Sequence, residues 1–135
     1  MVDEAALLAA AWDARSRAFA PYSRFAVGAA LVGESGRVWA GCNVESASYS
    51  LTCCAERVAI FKGVSEGERA FLAVAVVAEA DPIAMPCGAC RQVLHEFAAG
   101  ATLVSASRAG TLRTTVALLL PHPFDPAALP GFPPR

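Results

Sequence analysis

The sequence predicts an α/β protein, a three-layer α/β/α sandwich with a mixed five-stranded sheet, on three observations. Helix-period and strand-period segments follow one another in the order α-β-β-α-β-α-β-β, so that each helix after an early hairpin feeds a strand. The run from Phe71 to Ala78 is apolar at every position, as a central strand covered on both faces must be. Finally, 135 residues of which 56% are hydrophobic suffice for one core, so residues 1–135 form a single domain.

Each element has a local cause. Residues 3–19 carry Asp3 and Glu4 at the start and Arg15 and Arg17 near the end, matching the helix dipole, and Pro21 forbids continuation. Leu8, Trp12 and Phe19 mark the expected apolar stripe. Phe25 to Val32 reads as a strand, with Phe25, Val27, Ala29 and Leu31 on one face and small apolar residues on the other. Gly33-Glu34-Ser35-Gly36 is a hairpin turn into a second strand, Arg37 to Cys42. Cys54 to Gly63 is helical with Cys54, Val58 and Phe61 in phase. Gly88 to Ala99 is helical with Cys90, Val93, Leu94 and Phe97 in phase, and Gly100 stops it. Strands near Thr102–Ser105 and Thr114–Leu118 complete the sheet. The end of the chain (about 121–135) is proline-rich, too short for a domain, and reads as a tail that either frays or docks on something.

Composition narrows the function. Eleven Lys and Arg against twelve Asp and Glu give a net charge of −1, which argues against a nucleic-acid or anionic-membrane partner recognised by bulk charge. No stretch is long and uncharged enough to span a bilayer, and the first residues are acidic where a secretion signal is basic, so a cytoplasmic location is expected. Five cysteines, at 42, 53, 54, 87 and 90, are an odd number for a disulfide framework and point to thiolate or metal chemistry.

Cys54-Ala55-Glu56 and Pro86-Cys87-Gly88-Ala89-Cys90 carry that chemistry. Zinc takes thiolates tetrahedrally, and a catalytic site keeps one of four positions for water, so three cysteines leave one place open. Cys54 and Glu56, two residues apart, reach one ion only if it lies over the entrance of the helix. Two helix N-termini then converge on the metal and favour thiolates through their dipoles and free N–H groups. Three thiolates leave Zn²⁺ with a net charge of −1, and Arg57 is the candidate to offset it by hydrogen-bonding a ligand sulfur. A structural zinc would need a fourth ligand from Cys42, Cys53 or His95. A redox pair of Cys87 and Cys90 would leave Cys54 and Glu56 without a role. A glutamate beside a three-thiolate site favours hydrolysis, because it can take a proton from water and hand it on.

Cys-Ala-Glu followed some thirty residues later by Pro-Cys-x-x-Cys is the pattern of zinc nucleoside and nucleobase deaminases. With Pro21-Tyr22-Ser23-Arg24-Phe25-Ala26-Val27-Gly28, Gly41-Cys42-Asn43-Val44-Glu45 and Pro86-Cys87-Gly88-Ala89-Cys90-Arg91-Gln92, the chain resembles the short, homotetrameric cytidine deaminases from the first helix to Pro121. The resemblance implies a cytidine-deaminase-like fold, one zinc per subunit, and a homotetramer with active sites at subunit contacts. The implied reaction is hydrolysis of cytidine and deoxycytidine to uridine and deoxyuridine with release of ammonia, in pyrimidine salvage. By matching position, Cys54, Cys87 and Cys90 bind zinc and Glu56 shuttles protons. Asn43 and Glu45 hold the ribose, Phe25 packs against the base, and Ala55 lines the pocket. Ala47, Tyr49 and Phe124 reach neighbouring pockets.

Some of these expectations have independent support. Asn43 and Glu45 alternate after the second strand and share one side, and an amide with a carboxylate suits a sugar hydroxyl that both donates and accepts. Phe124 on a proline-rich tail needs a partner to bury it. Cys53 beside Cys54 leaves two candidate thiols, and the Cys-Ala-Glu register chooses Cys54. The alternative is the same chemistry on a related small aminated nucleoside or antibiotic.

Overall fold

A computed structural model describes residues 2–133. Five strands, β1 (Val27–Gly33), β2 (Val38–Cys42), β3 (Phe71–Ala78), β4 (Thr102–Ser107) and β5 (Gly110–Thr115), form one sheet in the order β2-β1-β3-β4-β5. The β3–β4 pair is parallel and the other three pairs are antiparallel, so the sheet is mixed.

Helix α1 (Glu4–Arg15) covers one face, burying Leu7 and Ala11 against Ala30, Ala73, Ala75, Val77, Val104 and Ala106. Helices α2 (Ala55–Ser65) and α3 (Gly88–Ala98) cover the other, where Ile60 and Leu94 pack on Leu31, Val74, Val76 and Leu103. The three layers and five strands are as predicted. Small residues at the contacts set how close the layers lie. A Cβ on Gly28 would meet the Ala11 carbonyl oxygen of α1 at 2.0 Å, and one on Gly41 would meet the Ala59 amide nitrogen of α2 at 2.7 Å.

The structure corrects several boundaries and faces. The first helix ends at Arg15 rather than near residue 19. Ser16 closes it by bonding back to the Asp13 carbonyl, and Phe19 leaves the helix to pair with Val44. Its buried residues are Leu7, Ala11 and Ala14, not a stripe of Leu8, Trp12 and Phe19; Phe19 is exposed. The first strand begins at Val27, leaving Phe25 outside it. On α2 the buried residues are Ala55, Glu56, Ala59, Ile60 and Gly63, whereas Phe61 is exposed. The last strand is Gly110–Thr115, and the residues read as its second half form a short helix, α4 (Val116–Leu119). Thr115 caps that turn by accepting a hydrogen bond from the Leu118 amide, while Val116 is buried. Pro134 and Arg135, the end of the proline-rich tail, lie outside the described residues.

Two connections matter for the site. The segment after β2 runs between the Phe19 and Cys53 segments, with Val44 bridged to both residues. This pairing uses the backbone of Cys53 and places Cys54 immediately before α2 as its N-terminal cap. On the opposite side, buried Ser105 of β4 donates to the Ala84 carbonyl, holding the loop that leads to Cys87.

Candidate metal centre and nucleoside site

Cys54 caps the N-terminus of α2 and Cys87 caps that of α3, with Cys90 one turn further into α3. Neither cap makes a side-chain hydrogen bond to its own helix, so both sulfurs are free to face outward from the helix ends. The Cys54 and Cys87 sulfurs lie 3.8 Å apart, and all three Sγ atoms fall within 4.8 Å of one another. A tetrahedron with zinc–sulfur bonds of about 2.3 Å has edges of about 3.8 Å. The donor set therefore fits zinc in both chemistry and spacing. Among the described residues no fourth Cys, His, Asp or Glu joins the group, so Cys42, Cys53 and His95 stand apart. Cys90 is fully buried, Cys54 half-buried and Cys87 exposed, which leaves the cluster accessible from one side.

The electrostatics favour a thiolate at Cys54. Its thiol is pulled down to about 5 by a hydrogen bond from Cys90, reinforced by Arg57 and Cys87. Cys90, donating that bond from a buried position, is pushed up. The Nη2 atom of Arg57 donates to Cys54 Sγ at 3.3 Å, the sulfur contact expected of this arginine. Its Nε is buried without a hydrogen-bond partner among the described residues. Glu56 is 3% exposed, and burial pushes its carboxyl above the usual carboxylate range. Burial thus favours the protonated form of this carboxyl, which suits a group that must hold a proton and pass it on.

The remaining predicted residues form separate groups. Asn43 is buried, with Oδ1 accepting from the Val27 amide at 2.9 Å and Nδ2 donating to the Phe25 carbonyl at 2.7 Å. An amide has two donor hydrogens and two lone pairs, so one of each remains for a ligand. Glu45 Oε1 accepts from the Tyr22 and Ser23 amides at 2.9 and 3.1 Å, and Oε2 accepts from the Ser23 hydroxyl. These bonds hold its carboxyl below the usual range. Both residues thus brace the Tyr22–Val27 segment. Phe25 is 39% exposed and belongs to neither core cluster. Ala55 is fully buried beneath the site, Ala47 is exposed, and Tyr49 is exposed with its ring edge-on to Tyr22 at 5.8 Å. The Phe124 ring is exposed on the flank of α3.

Residues 1–106 match the family described as the cytidine and deoxycytidylate deaminase zinc-binding region. The chain belongs to that family. Among its relatives, cytidine deaminase of Sporosarcina psychrophila is 49% identical over 126 residues, 92% of this chain and 93% of that protein. Cytidine deaminase of Halalkalibacterium halodurans is 47% identical over 125 residues, 91% and 95% of the two chains. A crystal structure of cytidine deaminase from Burkholderia pseudomallei superposes with a TM-score of 0.86 at 46% identity, covering 91% of this chain and 100% of that one. One from Mycobacterium tuberculosis gives 0.79 at 40% identity, covering 93% and 99%. Within this zinc-binding deaminase fold, the cysteine triad occupies the ends of two helices on one face of the sheet.

Residues that sequence reasoning left without a role also contribute. Ser23 anchors Glu45, and Arg91 donates to the Pro86 carbonyl at 2.7 Å beside the ligand Cys87. The signal for Arg91 was its spacing, one helical turn past Cys87. Gln92 and His95 hold the C-terminal segment, and nothing local in the sequence distinguishes them.

Proposed function

We propose that the protein hydrolyses cytidine and deoxycytidine to uridine and deoxyuridine with release of ammonia. The single observation that carries this reading is a buried glutamate, Glu56, beside three sulfurs spaced for zinc with no fourth protein ligand among the described residues. When bound, zinc supplies the Lewis acidity that makes water a nucleophile near neutral pH. Cys54, Cys87 and Cys90 would hold it, and Arg57 steadies the Cys54 thiolate. Glu56 takes a proton from the attacking water and delivers it to ring nitrogen N3. It then takes the remaining proton from the C4 hydroxyl and passes it to the exocyclic nitrogen, so that the new bond is C4–O, the broken bond is C4–N, and the leaving group is ammonia. Burial raises the affinity of Glu56 for that proton, which suits a group that must both accept and return it.

Asn43 and Glu45 offer the sugar one amide donor, one amide acceptor and the one remaining lone pair of the carboxylate. Phe25 offers a partly exposed ring to the base, with Ala55 at the floor. Ala47, Tyr49 and Phe124 are exposed in one chain, which supports a homotetramer in which each completes a neighbour's pocket and the tail docks between subunits. No helix among the described residues is long and apolar enough to cross a membrane. The balanced charge suits a small nucleoside rather than a polyanion, and on this reading the enzyme serves pyrimidine salvage in the cytoplasm. Incubation of the purified protein with cytidine, deoxycytidine and the free base cytosine tests the reading. Uridine or deoxyuridine and ammonia should form one to one from the nucleosides and poorly from the base. Equal turnover of the free base would remove the sugar-binding role of Asn43 and Glu45.

A further inference from the structure

Helix α3 carries two metal ligands at its start, and on another side it grips the end of the chain. Gln92 Nε2 donates to the Phe124 carbonyl at 2.8 Å. His95 Nε2 meets Asp125 Oδ2 at 2.9 Å. Arg91 Nη1 donates to the Leu119 carbonyl at 3.0 Å, at the root of the same segment, while its Nε holds Pro86. Positions 91, 92 and 95 are helical neighbours, so these side chains make one patch. Beyond the patch, Asp125 Oδ1 caps a single 3₁₀ turn, Pro126–Ala128, and Pro126 is buried. The backbone around Phe124 is therefore tied down within its own chain. Yet the Phe124 ring is 63% exposed. A firmly anchored backbone presenting an uncovered aromatic ring is a device for offering that ring to something outside the chain.

We propose that Gln92 and His95 are positioning residues that clamp the C-terminal segment in cis and so fix where the Phe124 ring is presented to the nucleoside bound at a neighbouring site; this rests on the reading of Phe124 as a substrate contact. Clamping removes in advance the ordering cost that a loose tail would meet on binding. The clamp touches no reacting atom, so it acts on substrate binding and leaves the chemical step alone.

The test uses the zinc-loaded full chain with Gln92→Ala, His95→Ala and the double variant, all on the α3 side of the clamp. Hydrogen exchange needs no substrate: the bonded amides of Ala127, Ala128 and Leu129 should exchange about tenfold faster while those of α3 keep their protection. In turnover, KM for cytidine should rise about fivefold to tenfold with kcat within about twofold, the signature of lost uniform binding. Adding Phe124→Ala should raise KM no further, because clamp and ring act as one unit. Unchanged exchange in the tail overturns the clamp. A loosened tail with unchanged KM, a fall in kcat at constant KM, or an effect additive with Phe124→Ala overturns the positioning role. If the unmodified protein releases no ammonia from cytidine, the deaminase reading fails, and the exchange result still decides the clamp.

Discussion

Arg57 Nη2 and Cys54 Sγ lie 3.3 Å apart across the first turn of α2, so the helix that presents one metal ligand also carries the cation that steadies it. A thiolate in contact with a guanidinium is a weaker base but a readier ligand at neutral pH, because less proton competition opposes the metal. Arg57→Ala should weaken zinc binding by about 10–100-fold, the usual cost of losing a hydrogen-bond partner to a ligand. Competition with a chromogenic chelator measures this, and Arg57→Lys should recover part of the affinity.

Glu56 is expected to govern rate rather than metal content. Glu56→Gln keeps the shape of the side chain, removes its proton exchange, and should lower kcat by at least about 10²–10⁴-fold. Zinc content should stay at the level of the unmodified protein, since Glu56 is not one of the three clustered ligands. Single-turnover assays with metal analysis separate the two quantities.

A tight layer contact supports the centre from beneath. A Cβ at position 41 would sit 2.7 Å from the Ala59 amide nitrogen and 3.0 Å from the Ala55 carbonyl oxygen. Both are helix backbone, so α2 must move. Gly41→Ala should destabilise the fold by about 1–3 kcal/mol through overpacking. Because Cys54 caps α2, it should also lower zinc occupancy. Chemical denaturation and metal analysis of the same sample check both effects.

Glu45 gives a signed pH dependence. Its folded carboxyl titrates below the usual range because the Ser23 hydroxyl and the Ser23 and Tyr22 amides bond its charged form. Such a group contributes stability that is fully present above its unfolded value and is lost as pH falls through the lower folded value. The difference in unfolding free energy between the unmodified protein and Glu45→Gln should therefore be widest near neutral pH and close on acidification. Denaturant titrations at several pH values report it.

The three-layer architecture and the metal cluster were legible because each is written locally. Apolar runs mark covered strands, and Cys54, Cys87 and Cys90 stand where helices begin. What was not legible depends on distant partners. The first helix stops early because Phe19 is claimed by Val44, a residue 25 positions away. On α2, hydrophobic periodicity places Phe61 on the buried face, whereas the packing of the layers exposes it. The close approach of Gly41 instead seats Ala55, Val58 and Ala59 against β2. Asn43 and Glu45 were read as groups facing a sugar, and their bonds to the Tyr22–Val27 backbone emerge only when the segments meet. The grip of Gln92 and His95 on the tail is non-local in the same way.

Zinc K-edge X-ray absorption of the resting, zinc-loaded protein tests the central claim most directly. Three sulfur neighbours at about 2.3 Å and one lighter neighbour at about 2.0 Å are the predicted shell. Four sulfur neighbours would mean a closed structural site with no place for water, and would contradict the account.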